Sequence, residues 1–412
     1  MAIKIKPLPL AGKTNTVIWK FASLLTGVVL FIGGLGHGAS YVLALGGVGS
    51  VVLLAFVAYK KTKIIIPKGF LIYGLFIFLF ALSLFWSLNW PSSLGHLVLY
   101  VSGGVFWVAF FNLKGKSKNA IENIVVILGI LFGTFALAYK YLNFAPFGRA
   151  PFSLVYPAIA NHHHIGDIWA IVTVIVIHKV FVRKKYLYFL LFIPGVFFLI
   201  LSLSKSAYLA LATGAYFIFY YKGWIQKYNK ILAILLFIIV ALFLFAGIQK
   251  TTLFSRPYYF QALTGLISHP LGVGYGNFES ISTECFGCFD DKLLSFSSVT
   301  HNIILEVLVG MGILGLSFVY WLYLVSRDLL ESLKENNLAV SASFFALLTN
   351  FFFDFTYFIP TMLWIFFIFL GLAQEKHEQT KGEIIIIYAM SAFLIVASFL
   401  LSFVLLKFDV LR

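Results

Sequence analysis

Residues 66–86 read IPKGFLIYGLFIFLFALSLFW. Lys68 is the only charged side chain among them. Coiled as an α-helix, such a run is about 31 Å long, close to the roughly 30 Å hydrocarbon core of a bilayer. A stretch of this length and polarity reads as a transmembrane helix.

The pattern repeats outward in both directions. Apolar runs fall near 16–35, 40–59, 66–86, 95–112, 120–140, 166–182, 186–203, 206–221, 231–248, 301–325, 338–356, 359–374 and 384–406. The prediction is an all-α polytopic transmembrane helix bundle of about 12–13 spans, one integral membrane domain over 1–412. Composition agrees. Of 412 residues, 61% are hydrophobic, 18% aromatic and 11% charged, against roughly 25% charged in soluble chains. That excludes a disordered chain, a secreted disulfide scaffold and a cytosolic enzyme. Lys4, Lys6 and Lys13 precede the first run with no small-residue cleavage site, so this span is expected to act as its own insertion signal.

Net charge is +15. Such a balance suits either nucleic acid or basic membrane loops, and its distribution decides. With the N-terminus in the cytoplasm, the short inner loops hold Lys60, Lys61 and Lys63, then Lys114, Lys116 and Lys118, then Arg183, Lys184 and Lys185. Lys20 and Lys68 fall within spans. The charge follows the positive-inside pattern, so no nucleic-acid partner is expected. Twelve spans return the C-terminus to the cytoplasm and thirteen leave it outside. Two predicted outer loops are long, 141–165 and 249–300, and long loops in compact proteins carry function.

Basic residues on the outer side call for a reason. Arg149, Lys205 and Arg256 either snorkel to phosphates of membrane lipids or together bind an anionic group. Lys205 stands in Ser202-Leu203-Ser204-Lys205-Ser206, between two spans with almost no loop, as a small anion site or a solvated turn. Arg256 opens Arg256-Pro257-Tyr258-Tyr259. Downstream, Gly272, Gly274 and Gly276 alternate ahead of Asn277, with Tyr275 between them, and permit close backbone approach to a ligand. His301 begins a span, with Asn302 and Glu306 one turn apart on one face. Gly312 and Gly315 allow a neighbouring helix to come close. A helix N-terminus favours the neutral imidazole, which can take a proton from a hydroxyl. His162-His163-His164 with Asp167 invites a metal reading, but consecutive histidines diverge and no partner segment is evident, so no metal site is predicted. Cys285 and Cys288, the only cysteines, lie in the second loop, where a disulfide is expected in preference to metal or redox chemistry.

These residues resemble the O-antigen ligase and O-antigen polymerase superfamily. The ligase pattern is His, then Asn, Ser or Gln, nine residues, Gly, two residues, then Gly, Thr or Tyr. His301, Asn302, Gly312 and Gly315 match it in full. The Arg256 segment and the Pro-Leu-Gly-Val-Gly-Tyr-Gly-Asn-Phe run look like the family's large periplasmic loop. The Lys205 segment looks like its Ser-Arg-Ser/Gly-Ala stretch, with Lys where Arg is usual. The matched part runs from about 160 to 320.

The resemblance implies a GT-C-like, metal-independent, inverting glycosyltransferase of the bacterial inner membrane, with no cofactor and a periplasmic active site. Its donor would be a glycan on undecaprenyl diphosphate. Its acceptor would be a hydroxyl of lipid A–core (ligation) or a second lipid-linked glycan (polymerisation). His301 would be the base, and Arg256 and Lys205 would hold the diphosphate. Asn302, Tyr258, Tyr275, Asn277 and Arg149 would position substrate. A transporter of polyprenyl-linked sugars is the reading from another class. It predicts internal repeats and mid-membrane charges, and no convincing repeat is present.

Overall fold

The computed structural model describes residues 11–34, 40–60, 64–113, 117–142, 162–224, 257–284, 297–375, 387 and 389–397. All regular structure among them is helical. In chain order the helices are α1 (Ala11–Gly33), α2 (Ser40–Lys60), α3 (Phe70–Ser83), α4 (Trp90–Asn112), α5 (Ser117–Leu142), α6 (His162–Ile177), α7 (Phe192–Ser202), α8 (Lys205–Tyr221), α9 (Pro257–Ser268), α10 (Phe278–Glu284), α11 (Ile303–Met311), α12 (Leu316–Glu331), α13 (Leu338–Phe353) and α14 (Pro360–Ala373). Among the described residues, four helical stretches are long and apolar enough to cross a membrane by length and composition: Trp90–Asn112, Lys118–Ala138, His163–Val182 and Ile303–Glu331, the last comprising α11, a 3-10 turn and α12. Six shorter apolar helices accompany them among these residues. The expected run at 231–248 and most of that at 384–406 lie outside the described residues.

Burial explains the assembly. Helix α4 is sheathed by α2, α3 and α14, and nearly every residue from Ser93 to Asn112 is buried. Its Gly103 receives the Phe367 ring so closely that a Cβ there would stand 2.3 Å from it. Beside it, Tyr73, Trp107, Trp321 and Phe367 form a contiguous aromatic layer. Small residues that admit large rings supply packing contacts where lipid gives no hydrophobic drive.

The two ends of the bundle differ in chemistry. At one end, Lys68 pairs with Asp328 at 3.0 Å, Lys222 with Glu335 at 3.1 Å and Lys334 with Glu375. Arg183 donates to Asn119 at 2.8 Å, and buried Lys179 meets Glu122 at 2.9 Å. Arg183 and Lys118, both predicted for inner loops, lie at this end, Lys118 donating to Asn336 O. Lys68 joins them, which corrects its placement within a span: helix begins only at Phe70, behind Gly69 in the left-handed region. The other end collects the α3–α4 turn, the start of α6, the α7–α8 turn, α9 to α11 and the α13–α14 turn.

Two segments differ from expectation. The 249–300 loop contains helices, α9 with proline at its first position and α10. The span expected at 301–325 is also broken. Gly312 adopts φ 59° and ψ −141°, ending α11, and a 3-10 turn over Gly312–Gly315 leads into α12. Both ends of α11 touch the same end of the bundle. Its N-cap Asn302 donates to Phe352 O at the end of α13. Its last carbonyls, Val309 O and Gly310 O, accept from Val273 and Gly274, and Val273 O accepts from Leu88 after α3. Helix α11 thus runs across that end, and α12 carries the chain through the bundle to Asp328.

Candidate functional site

The site assembles at the end crossed by α11. His301 precedes this helix at φ 55°, a left-handed conformation that costs a non-glycine residue energy and persists only where surroundings enforce it. Asn302 enforces it. Its Oδ1 accepts from the N–H groups of Ile304 and Leu305, and its Nδ2 donates to Phe352 O at 3.0 Å. The start of α11 is thereby pinned to the end of α13, beside Asp354.

Asp354 is the residue that sequence reasoning missed. Its Oδ1 lies 3.6 Å from His301 Nδ1 and accepts from the Phe355 N–H at 2.7 Å. The His301 side chain keeps 19% of its surface exposed, so the ring is reachable from outside the bundle. Tyr258 stacks on one face of it at 5.2 Å and 28°. The Phe355 ring stands edge-on to His301 and, at similar distance, to His164.

Behind this pair lies a buried polar cluster. Asp167 Oδ1 accepts from Asn350 Nδ2 at 2.7 Å, Ser204 Oγ at 3.0 Å and Ser206 Oγ at 3.2 Å. Ser206 Oγ also lies 3.0 Å from Asp354 Oδ2. Its single proton serves one carboxylate at a time, so it links the two. Thr356 donates to Asn350 Oδ1. His164 Nδ1 faces Asp167 Oδ2 at 3.7 Å. These residues come from the starts of α6 and α8 and the end of α13, far apart in sequence.

Asp354 lies beyond the last turn of α13. Burial by itself would raise its pKa. The His301 Nδ1 at 3.6 Å, the charges of His164 and His301 and the Phe355 N–H outweigh burial and hold the carboxyl at about 2. A permanent carboxylate here works against the neutral imidazole expected from the helix terminus. It stabilises the imidazolium that forms when His301 accepts a proton and fixes the ring's orientation.

The other predicted residues divide. Lys205 is the first residue of α8, exposed at the site end. Its neighbouring serines turn inward to the carboxylates, with Ser204 capping α8, so they are not part of an anion site around Lys205. Tyr275, fully buried, bonds Tyr100 through the two hydroxyls at 2.8 Å. Asn277 donates to Val273 O and Ser87 Oγ. With Asn302 committed as a cap, these three spend their polar groups on protein contacts that position the backbone of the site. Gly272, Gly274 and Gly276 do permit close approach, but to protein: added Cβ atoms would meet Gly310 O, Ser87 Oγ and His96. Gly312 and Gly315 admit backbone as well, with Pro270 O and Val307 O nearest. Of the three histidines, His164 faces inward and His163 outward. Arg149, Arg256, Cys285 and Cys288 lie outside the described residues, as do 143–161 of the first long loop. Against known proteins, the chain matches no family model, no curated protein and no solved structure.

Proposed function

We propose that this membrane protein is a glycosyltransferase. It moves a glycan from undecaprenyl diphosphate to an acceptor hydroxyl at the periplasmic face, with lipid A–core as acceptor in an O-antigen ligation. The observation that carries the reading is the His301–Asp354 pair, accessible at the end of the bundle that also presents Lys205. His301 accepts the proton of the attacking hydroxyl, and Asp354 orients and stabilises the ring. Attack opposite the diphosphate inverts the anomeric carbon. Negative charge then develops on the departing phosphate oxygens, where Lys205 and Arg256 offset it. Arg256 stands two residues ahead of Tyr258, which stacks on His301.

The full match of His301, Asn302, Gly312 and Gly315 to the ligase pattern favours ligation. Polymerisation uses the same donor and the same base with a second lipid-linked glycan as acceptor. Purified protein supplied with lipid-linked glycan and each acceptor in turn separates them by product. No glycosidic product with either acceptor, together with movement of lipid-linked glycan across vesicles, would establish a transporter instead.

A further inference from the structure

We propose that His164, Asp167 and Asp354 form a binding site for one divalent transition-metal ion, zinc or manganese by its donor set, directly behind His301. One donor atom from each of the three residues lies within 4.8 Å of the others, and all three residues are buried. The inference stands apart from the transfer reaction, which routes no step through a metal.

The first support is an unsatisfied oxygen. Asp167 has 0% exposure, and its Oδ2 has no hydrogen-bond partner among the described residues. Its neighbour Oδ1 is held by three donors. This asymmetry presents Oδ2 toward His164 Nδ1. The 3.7 Å separation is too long for a hydrogen bond. Adjacent ligands on a tetrahedral ion, each about 2.1 Å from it, stand about 3.4 Å apart. An ion between the two groups therefore requires an inward shift of a few tenths of an ångström on that side, and a larger closure from Asp354.

Charge is the second support. Two carboxylates are buried together where a membrane bundle gives little solvation, and a buried carboxylate costs several kcal/mol unless compensated. Ser204, Ser206, Asn350 and Thr356, which surround them, are all neutral, and the counter-charge otherwise at hand is a proton on His164 or His301. A divalent ion supplies the compensation at one point. The surrounding bonds have the form of a supporting shell for ligating carboxylates: Asn350 and the serines fix Asp167, and the Phe355 N–H fixes Asp354. The Phe355 ring, edge-on to the His164 imidazole at 87°, restrains its rotation. Two carboxylates and one imidazole, without thiolate, suit zinc or manganese.

The test uses the full-length protein in detergent, stripped with a chelator, re-exposed to Zn²⁺ or Mn²⁺ and desalted. One bound ion per chain is expected. Asp167→Asn and His164→Ala should abolish retention, while His163→Ala and the Cys285→Ser/Cys288→Ser double variant retain the ion. Ser206→Ala should weaken affinity by roughly 10–100-fold. If Asp167→Asn fails to fold, the Mn²⁺ resonance of the unaltered protein decides, since the bound ion must show coupling to one imidazole nitrogen. No retained ion, or an ion that survives in folded His164→Ala, overturns the site and leaves protonated histidines as the counter-charge. Failure to retain an ion on re-exposure, in protein that still transfers glycan, would sink the metal site and leave the glycosyltransferase reading intact.

Discussion

His301 and Asp354 meet with Nδ1 of the first 3.6 Å from Oδ1 of the second, and Asn302 holds them together by tying the start of α11 to the end of α13. A ring of this kind is an effective base only when a fixed anion orients it. His301→Ala is expected to abolish transfer while leaving the unfolding temperature almost unchanged, because the side chain is partly exposed. Asp354→Asn should reduce turnover by about 10²–10⁴-fold, the range of a general-base contribution. Product formation by radiolabelled donor measures both. Unaltered turnover in folded His301→Ala would remove the base from the mechanism.

Acidity gives an independent check on Asp354. Its carboxyl sits at about 2 in the folded protein, against the ordinary aspartate value of 3.8. Folding therefore favours the ionised form. The stabilisation is complete above the unfolded value and is lost as pH falls toward the folded one, a contribution of about 2 kcal/mol. Unfolding temperatures measured from roughly pH 6 down to pH 3 should fall more steeply for the unaltered protein than for Asp354→Asn. Parallel curves would show that this carboxylate is not held low.

Much of this arrangement could be read from the chain, and the remainder could not, for reasons that particular residues make plain. Hydropathy located α4, α6 and α14 because an apolar run of the right length has few other uses in a chain this poor in charge. The motif around His301 marked that residue as the candidate base. Asp354 carried no such mark: it follows Phe351-Phe352-Phe353 at the end of an apolar run, and only the pinning of α11 to α13 brings it to His301. Likewise Asp167 looked like a partner of the adjacent histidines, whereas its hydrogen-bond partners come from α8 and α13. The break at Gly312 was hidden because α11 and α12 are equally apolar, and hydropathy does not record φ.

That break yields a stability prediction. Gly312 has φ 59°, and an added Cβ would stand 2.0 Å from Pro270 O. Both partners are backbone, fixed by the Ile313 N–H to Pro270 O bond at 2.9 Å, so neither can yield cheaply. Gly312→Ala should destabilise by at least about 1–3 kcal/mol, the cost of a strained backbone position, and should loosen the 270–276 segment from α11. Gly27→Ala is the control. It lies within α1, its nearest contact would be an ordinary 3.9 Å to Ile124, and alanine gains about 0.5–1 kcal/mol in a helix interior. Thermal unfolding of the two variants should move in opposite directions. An unshifted Gly312→Ala would mean that α11 and α12 can run straight on.

The cations separate geometry from charge. Arginine presents a planar fork that bonds two phosphate oxygens at once, whereas lysine offers a compact point charge. Loss of one donor to a developing oxyanion costs about 10²–10³-fold in turnover, which is the drop expected for Arg256→Ala. Arg256→Lys should recover only part of it, because charge returns without the fork. At the first residue of α8 the expectation reverses. Lys205→Arg keeps the charge and adds the fork at an exposed position, so turnover should hold or rise. Lys205→Ala should fall. Measuring turnover for the four variants at saturating donor isolates the chemical step from binding. Full activity in Arg256→Lys would show that charge alone matters there. A large loss in Lys205→Arg would show that this site is shaped for an ammonium, and that the diphosphate is gripped elsewhere.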